Sequence, residues 1–296
     1  MDLQSLLSKH RIPFGVGGSH RNVRDGWIGI DCPHCDGTGS GKYHLGIHPD
    51  TLASTCWRCG PKSLGDVLAR ILRIPLHRAI TLLGEVPKSP RIVSETGLRR
   101  GVLERPRGLG PLSEAHLGYL RGRGFDPEEL ERLWGLRGIG LSSRLGWRLW
   151  IPIHLDGEVV SWTTRTIGEK SGSKYINAKP EQESVPIKSL LYGVDYVRHT
   201  MMVCEGPADV WRIGPGAVAM MGLSVTEEQM ETIGNVPKRI VCFDNEPAAQ
   251  KRAGELCRTL ECFSRATANV CLEANDPGEA DEVEVSELRK LLEQEK

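Results

Sequence analysis

Cys32-Pro33-His34-Cys35 and Cys56-Trp57-Arg58-Cys59 are two CxxC pairs with 20 residues between them. Two residues between thiols let both sulfurs face one ion. Two such knuckles joined by a hairpin make a tetrahedral four-sulfur site, the setting zinc prefers. The alternatives are a redox CxxC and a Cys3His site that takes His34; His44 and His48 also lie close in sequence. The stretch reads as too short for a core of its own, so the metal is expected to contribute folding energy directly. Of the five remaining cysteines, Cys204, Cys242 and Cys271 fall inside predicted strands and are read as core; Cys257 and Cys262 are scattered.

The second set is acidic. Glu205-Gly206 closes the apolar run Met201–Cys204, with Asp209 four residues on. Asp244 and Glu246 follow Arg239–Phe243, and Asp276-Pro277 follows Ala268–Leu272. Beyond the carboxyl ends of parallel strands lies the crevice where open α/β sheets bind ligands. Carboxylates delivered there suit Mg2+ or Mn2+, which keep some waters and complete their shell from substrate phosphates. Gly206 is expected to let the backbone bend away beside such an ion. Asp244 and Glu246, two apart, share one side if the chain stays extended.

Elements that could position these residues are readable from periodicity and breakers. Residues 27–60 read as short strands punctuated by turns, and 64–83 as helix interrupted at Pro75. Residues 84–111 carry Pro87, Pro90, Pro106, Pro111 and five arginines (Arg91, Arg99, Arg100, Arg105, Arg107), which predicts an exposed tether. Helices at 113–121 and 127–134 precede strands at 148–154 and 158–166, joined by the hairpin signal Asp156-Gly157. From residue 200 strands alternate with helices: 201–204, 208–213, 216–220, a helix capped by Thr226, 239–243, 247–260, 268–272 and 279–294. That alternation argues for a parallel sheet covered by helices. The fold class is therefore α/β: a small zinc ribbon, a mixed α+β basic subdomain, and a parallel-sheet α/β domain. The expected divisions are 1–83, a linker at 84–111, 112–199, 200–280 and a charged C-terminal helix at 281–296.

Composition narrows the class further. The 296 residues carry 38 basic and 38 acidic side chains, but the balance is uneven: residues 1–200 are net +8 and residues 201–296 net −8. A nucleic-acid partner for the front part is thus compatible with a neutral whole. Arginine makes up 26 of the 38 bases, and its fork suits phosphate. No run approaches 18 apolar residues and Met1–His10 lacks a secretory pattern, so no membrane association is expected. Nine cysteines, four of them in tight pairs, fit a reducing compartment, hence a cytoplasmic location.

Taken in order, these motifs resemble bacterial-type DNA primases of the kind carried by phages, over about residues 25–280. In that family a zinc-binding domain precedes a Toprim catalytic domain. Glu205-Gly206-Pro207-Ala208-Asp209 is similar to the Toprim E-G-x-x-D motif, Asp244-Asn245-Glu246 to its D-x-D motif, and Asp276-Pro277-Gly278-Glu279 to its later D-P-x-E segment. Upstream, Tyr119–Phe125 resembles the Y-L-x-x-R-G segment, and Arg148–Pro152 with Trp162–Arg165 the basic strands. Lys174-Tyr175-Ile176-Asn177 matches K-Y-x-N, and Lys188 with Leu191-Tyr192-Gly193 matches K…L-Y-G. Gly65-Asp66 after the second knuckle fits the ribbon. Three features depart from the pattern. Glu246, between Asn245 and Pro247, stands for the second Asp of D-x-D, Cys35 for the family's usual zinc histidine, and the chain stops soon after the Toprim segment with no GxxxxGKS/T motif.

The resemblance implies template-directed synthesis of short RNA primers on single-stranded DNA from ribonucleoside triphosphates. Two divalent cations about 4 Å apart would activate the attacking 3′-hydroxyl and shield the pyrophosphate. It assigns Mg2+ or Mn2+ to Glu205, Asp244 and Glu246, with Asp209 and Asp276 completing or orienting the shell, and one structural Zn2+ to Cys32, Cys35, Cys56 and Cys59. Glu205 is also a candidate to accept the hydroxyl proton. Arg165, Lys174 and Lys188 are candidates for nucleotide phosphate or template, with Asn177 orienting Lys174 or a sugar. Tyr43, His44 and Trp57 are candidates for base stacking, with Trp57 alternatively the small core of the ribbon. A separate replicative helicase and a monomer in isolation are expected. The rival readings are a Toprim nuclease, which would use the same acids on water, and a non-catalytic zinc/Toprim DNA-binding adaptor whose metal site Glu246 has weakened.

Overall fold

Asp2 begins the first helix by accepting from the Ser5 amide at 2.8 Å and the Ser5 hydroxyl at 3.0 Å. The computed structural model describes residues 2–35, 39–50, 52–84, 86, 101–141, 144–168, 173–222, 224–263 and 266–293. The chain divides into two compact units: Met1–Thr96 with Asp156–Glu158, and Gly97–Leu155 with Val159–Lys296. Pro87, Pro90, Arg91, Arg99 and Arg100 of the expected tether lie outside the described residues.

In the first unit α1 (Leu3–Lys9) precedes five three-residue strands: β1 (Phe14–Val16), β2 (Ile28–Ile30), β3 (Leu45–Ile47), β4 (Ser54–Cys56) and β5 (Gly60–Lys62). They form one antiparallel sheet in chain order. Helices α2 (Leu64–Leu72) and α3 (Leu76–Gly84) follow, separated at Arg73, which caps α2 with φ 53°, and at Pro75. The leucines of α1 and Ile28, Ile30, Leu45, Ile47, Val67 and Leu68 pack into one continuous buried cluster. This corrects the expectation of a ribbon without a core. The amphipathic helices on either side of the strands in sequence supply the apolar faces that the strands alone lack.

In the second unit β6 (Leu109–Gly110) leads into α4 (Glu114–Gly122) and α5 (Pro127–Trp134). Then come β7 (Arg137–Ile139), β8 (Arg148–Leu155), β9 (Glu158–Thr166) and β10 (Tyr175–Asn177). These strands form a sheet in the order β10-β9-β8-β7-β6. The β8–β9 turn carries φ 54° at Asp156 and 79° at Gly157, the two positive values a tight hairpin requires. Part of the expected tether belongs to this sheet. Besides β6, the Glu104 carbonyl accepts from the Trp162 indole at 2.9 Å.

The remainder is β11 (Thr200–Cys204), α6 (Pro207–Ile213), β12 (Ala217–Ala219), α7 (Glu227–Gly234), β13 (Lys238–Val241), α8 (Pro247–Leu260), β14 (Ala266–Asn269) and α9 (Glu282–Glu293). The four strands are parallel in the order β12-β11-β13-β14. Thr226 and Gln229 cap α7 reciprocally: the Gln229 amide donates to the Thr226 hydroxyl at 3.3 Å and the Thr226 amide to the Gln229 side-chain carbonyl at 3.2 Å. Arg239, fully buried, donates to the carbonyls of Gly234 and Leu260 and to the Thr267 hydroxyl. It thereby ties the ends of α7 and α8 to the sheet. The observed class is thus the expected one: antiparallel sheets, a parallel sheet and a four-cysteine cluster.

Candidate metal centre and candidate active site

The first knuckle follows β2, and the second is the turn from β4 into β5, two strands away across the sheet. All four sulfurs lie within 4.8 Å of one another. Cys32 and Cys59 are 3.6 Å apart, as are Cys35 and Cys56. Tetrahedral zinc with bonds near 2.3 Å requires sulfurs about 3.8 Å apart, so the donor set fits. A hydrogen bond from Cys56 holds the Cys32 thiol down to about 5, while burial pushes Cys35 up to about 12. Bonding to Cys32, then burial, raises Cys56. The cluster is a four-cysteine zinc-binding site. His34 takes no part in this sulfur cluster; its Nε2 lies 3.1 Å from Asp66.

Beside it, Asp31 organises the loop ahead of β3. Its carboxylate accepts from the amides of Gly39, Gly41, Lys42 and Tyr43 and from the Ser40 hydroxyl, all within 3.1 Å. His44 is buried and meets Trp57 edge-on at 4.8 Å, and the Arg58 guanidinium lies 5.3 Å from the Trp57 ring. Trp57 is half-buried, and Tyr43 packs on His20.

In the second unit the parallel sheet ends where the sequence places its acids. Glu205 directly follows β11, with Asp209 on the first turn of α6. Asp244 and Glu246 lie between β13 and α8, and Asp276 follows β14. The Gly206 amide donates to Asp209 at 2.8 Å, and the Asn245 amide to the Asn275 carbonyl at 2.7 Å. The second bond lays the Asp244 loop beside the Asp276 loop. Gln250 reaches back from α8 to the Asp244 carbonyl at 3.0 Å. Gly206 itself is extended at φ −134°, so the expected backbone bend is not what it provides. Gly278 has the tighter requirement, since a Cβ there would come within 3.1 Å of both Asp209 and Asp276.

The carboxylates feel one another. Burial, then the charges of Asp244, Asp276 and Glu205, push Asp209 up to about 7. Burial, then Glu205, Asp276 and Glu246, push Asp244 up to about 6, with Lys174 acting in the opposite sense. Asp276 Oδ1 is buried without a hydrogen-bond partner. Glu246 is exposed. Among the described residues the four thiols form the one donor group gathered within 4.8 Å; the rim acids are more widely spaced. An unpartnered buried oxygen among mutually repelling carboxylates is nonetheless a donor set that suits a hard divalent cation.

The basic candidates divide. Lys174 stands close enough to Asp244 to lower its pKa. Its carbonyl is fixed by Arg148 at 2.9 Å and by the Thr166 amide at 3.1 Å. Lys188 Nζ lies over Gly222, beyond β12. Arg165 is buried and clasped by the hydroxyls of Tyr119 and Tyr175, both at 2.6 Å. Asn177 accepts from Thr163 at 2.7 Å. Cys204, at the end of β11, and Cys242, just after β13, are fully buried, whereas Cys271, expected in the core, is exposed and donates to Asn245 at 3.1 Å. Sequence reasoning missed Arg252, which donates from α8 to Glu205 at 2.8 Å. Its one sequence signal is a base on the second turn of the helix that follows Asp244-Asn245-Glu246.

No family model and no curated protein matches the chain. Solved structures do. The zinc-binding and RNA polymerase domains of the Aquifex aeolicus primase superpose with a TM-score of 0.56 at 18% identity, over 99% of this chain and 83% of that one. The DnaG catalytic core superposes with a TM-score of 0.52 at 21% identity, over 62% of this chain and 73% of that one. With its four-cysteine zinc site ahead of an acid-rimmed parallel sheet, the chain has the fold of a bacterial-type DNA primase.

Proposed function

We propose that this chain is a DNA primase, which makes short RNA primers on single-stranded DNA by divalent-metal-dependent nucleotidyl transfer. The observation that carries this reading is the convergence of Glu205, Asp209, Asp244 and Asp276 at one end of a parallel sheet, within a fold shared with primase polymerase domains. Mg2+ or Mn2+ held there by Glu205, Asp244 and Glu246 would supply Lewis-acid activation of a 3′-hydroxyl and charge neutralisation at the triphosphate. Asp209 and Asp276 orient that shell, Asp209 through its bond from the Gly206 amide.

Lys174, whose charge acts on Asp244, would meet a nucleotide phosphate, and Lys188 would serve the same role from the β12 side. Arg165 acts at one remove. Its guanidinium holds Tyr175, next in sequence to Lys174, and so sets where that lysine stands. The net positive front part of the chain attracts the template backbone. The zinc unit reads the start site on the template, and a separate helicase delivers the single strand.

The test supplies single-stranded DNA, four ribonucleotides and Mg2+ or Mn2+. Short primers are expected, and Asp244→Asn should lower their yield by at least about a thousandfold with the fold intact by circular dichroism. Shortened DNA in place of primers would establish a nuclease, and DNA binding with neither product an adaptor.

A further inference from the structure

Most buried or half-buried arginines of the second unit are held several times over. Arg148 has four hydrogen bonds, Arg212 bonds to the carbonyls of Gly278, Gly124 and Arg123, and Arg239 bonds to two carbonyls and a hydroxyl. Arg252 differs. Its one hydrogen bond among the described residues runs from Nη2 to Glu205 Oε1 at 2.8 Å, and its Nε is buried with no partner. Its side chain is 31% exposed and that of Glu205 is 16% exposed, so the pair sits at the lip of the rim rather than in open solvent. Arg252 also spans two of the elements that deliver acids, since it rises from α8, just beyond Glu246, to the end of β11.

We propose that Arg252 is the internal counter-ion of Glu205 and becomes a triphosphate ligand once a divalent cation takes Glu205. The inference rests on the primase reading and adds to it a residue with two alternating partners. A rim of Glu205, Asp209, Asp244, Glu246 and Asp276 needs positive charge to stay assembled. A guanidinium on Glu205 meets that need at the end of β11, while the charge of Lys174 acts on Asp244. A cation arriving at Glu205 takes over the neutralising role and repels the arginine. The released guanidinium keeps five N–H donors, one of them already without a partner, on a helix that begins at the same rim. A nucleoside triphosphate entering with the metal presents the acceptors that its planar fork fits.

The two roles predict opposite signs for one substitution, which a purely structural arginine would not produce. The experiment uses the full chain and Arg252→Ala, with Arg252→Lys as the charge-preserving control and zinc content and melting temperature as fold checks. Mn2+ binding without nucleotide is followed by the electron paramagnetic resonance of free Mn2+. Triphosphate binding is followed by anisotropy of a fluorescent, non-hydrolysable ribonucleoside triphosphate at saturating Mn2+. Arg252→Ala should bind Mn2+ about five- to tenfold more tightly, because a competing positive charge is gone. It should bind the triphosphate about tenfold more weakly. Arg252→Lys should leave Mn2+ affinity near wild type and restore part of the triphosphate affinity. Unchanged or weaker Mn2+ binding in Arg252→Ala, or unchanged triphosphate binding, overturns the proposal while leaving the primase reading in place. A wild-type chain that takes up no Mn2+ overturns the reading itself.

Discussion

Both units gather ligands of the kind that bind metal, yet they do so by opposite physics. The thiols of the first unit come from two local turns on one small sheet, with sulfurs 3.6 Å apart, and burial and bonding to Cys32 favour the uncharged thiols of Cys35 and Cys56. The acids of the second unit come from three strand ends up to 71 residues apart, Glu205 to Asp276. Burial, and then their mutual repulsion, pushes Asp209 up to about 7 and Asp244 up to about 6. The first cluster is closed by local chain geometry. The second is assembled by the sheet against its own electrostatics, with the charges of Arg252 on Glu205 and of Lys174 on Asp244 in opposition.

Substitutions should therefore change stability in opposite directions in the two places. The largest effect is expected from Cys56→Ser. Loss of one thiolate should drop zinc content from one per chain to near zero, read with a chromogenic chelator. The first unit should lose stability on the order of 5 kcal/mol, read as lost amide protection across β2 to β5. Full protection with no zinc would mean that the apolar cluster suffices and the metal adds nothing.

Asp209→Asn tests the other side of the contrast. The side-chain carbonyl of asparagine can still accept from the Gly206 amide, so the main change is the removal of a charge that the fold disfavours. The folded pKa near 7 lies above the ordinary 3.8, so the folded state holds the proton more tightly than the unfolded chain does. The penalty is full above pH 7 and fades as pH falls toward 3.8. Without added divalent cation, Asp209→Asn should be about 2–4 kcal/mol more stable than wild type at pH 8. That gain should be smaller at pH 5, by urea unfolding. A variant less stable than wild type at pH 8 would show that the rim is not strained.

The same contrast explains what could be read in advance. The zinc ligands were legible because CxxC spacing is local, and α8 was legible to its ends because Pro247 opens it. The rim acids were legible as strand-end residues. What holds them was not: Arg252 and Glu205 are 47 residues apart, and nothing in spacing pairs them. Strand β14 is Ala266–Asn269 rather than the more apolar 268–272. At a sheet edge, pairing with β13 outweighs hydrophobicity. Arg165, in sequence a candidate for nucleotide phosphate or template, is buried, as is Arg239 at the start of β13, because tyrosine hydroxyls in one case and helix-end carbonyls in the other replace their water. The core of the first unit was missed because helices on both sides of the strands, outside the cysteine-bearing stretch, complete it.

Asp31→Asn gives the sharpest form of the comparison, since it is the same chemical change as Asp209→Asn beside the other metal site. Asp31 is also buried, and burial alone would raise its pKa. The amides of Gly41 and Tyr43, the Ser40 hydroxyl and the Gly39 amide outweigh burial and hold it below 3.8. Asparagine keeps one acceptor oxygen and turns the other into a donor, so at least two of the five bonds lose their acceptor. The expected cost is about 2 kcal/mol at pH 7. A depressed pKa contributes stability that is present above the unfolded value and is lost only as pH falls through the folded one. The deficit of Asp31→Asn should thus stay level from pH 8 to pH 5, across the range in which the gain of Asp209→Asn shrinks. A deficit that shrinks over that range would mean that the Asp31 carboxylate is strained like those of the rim, and the division between the two sites would not hold.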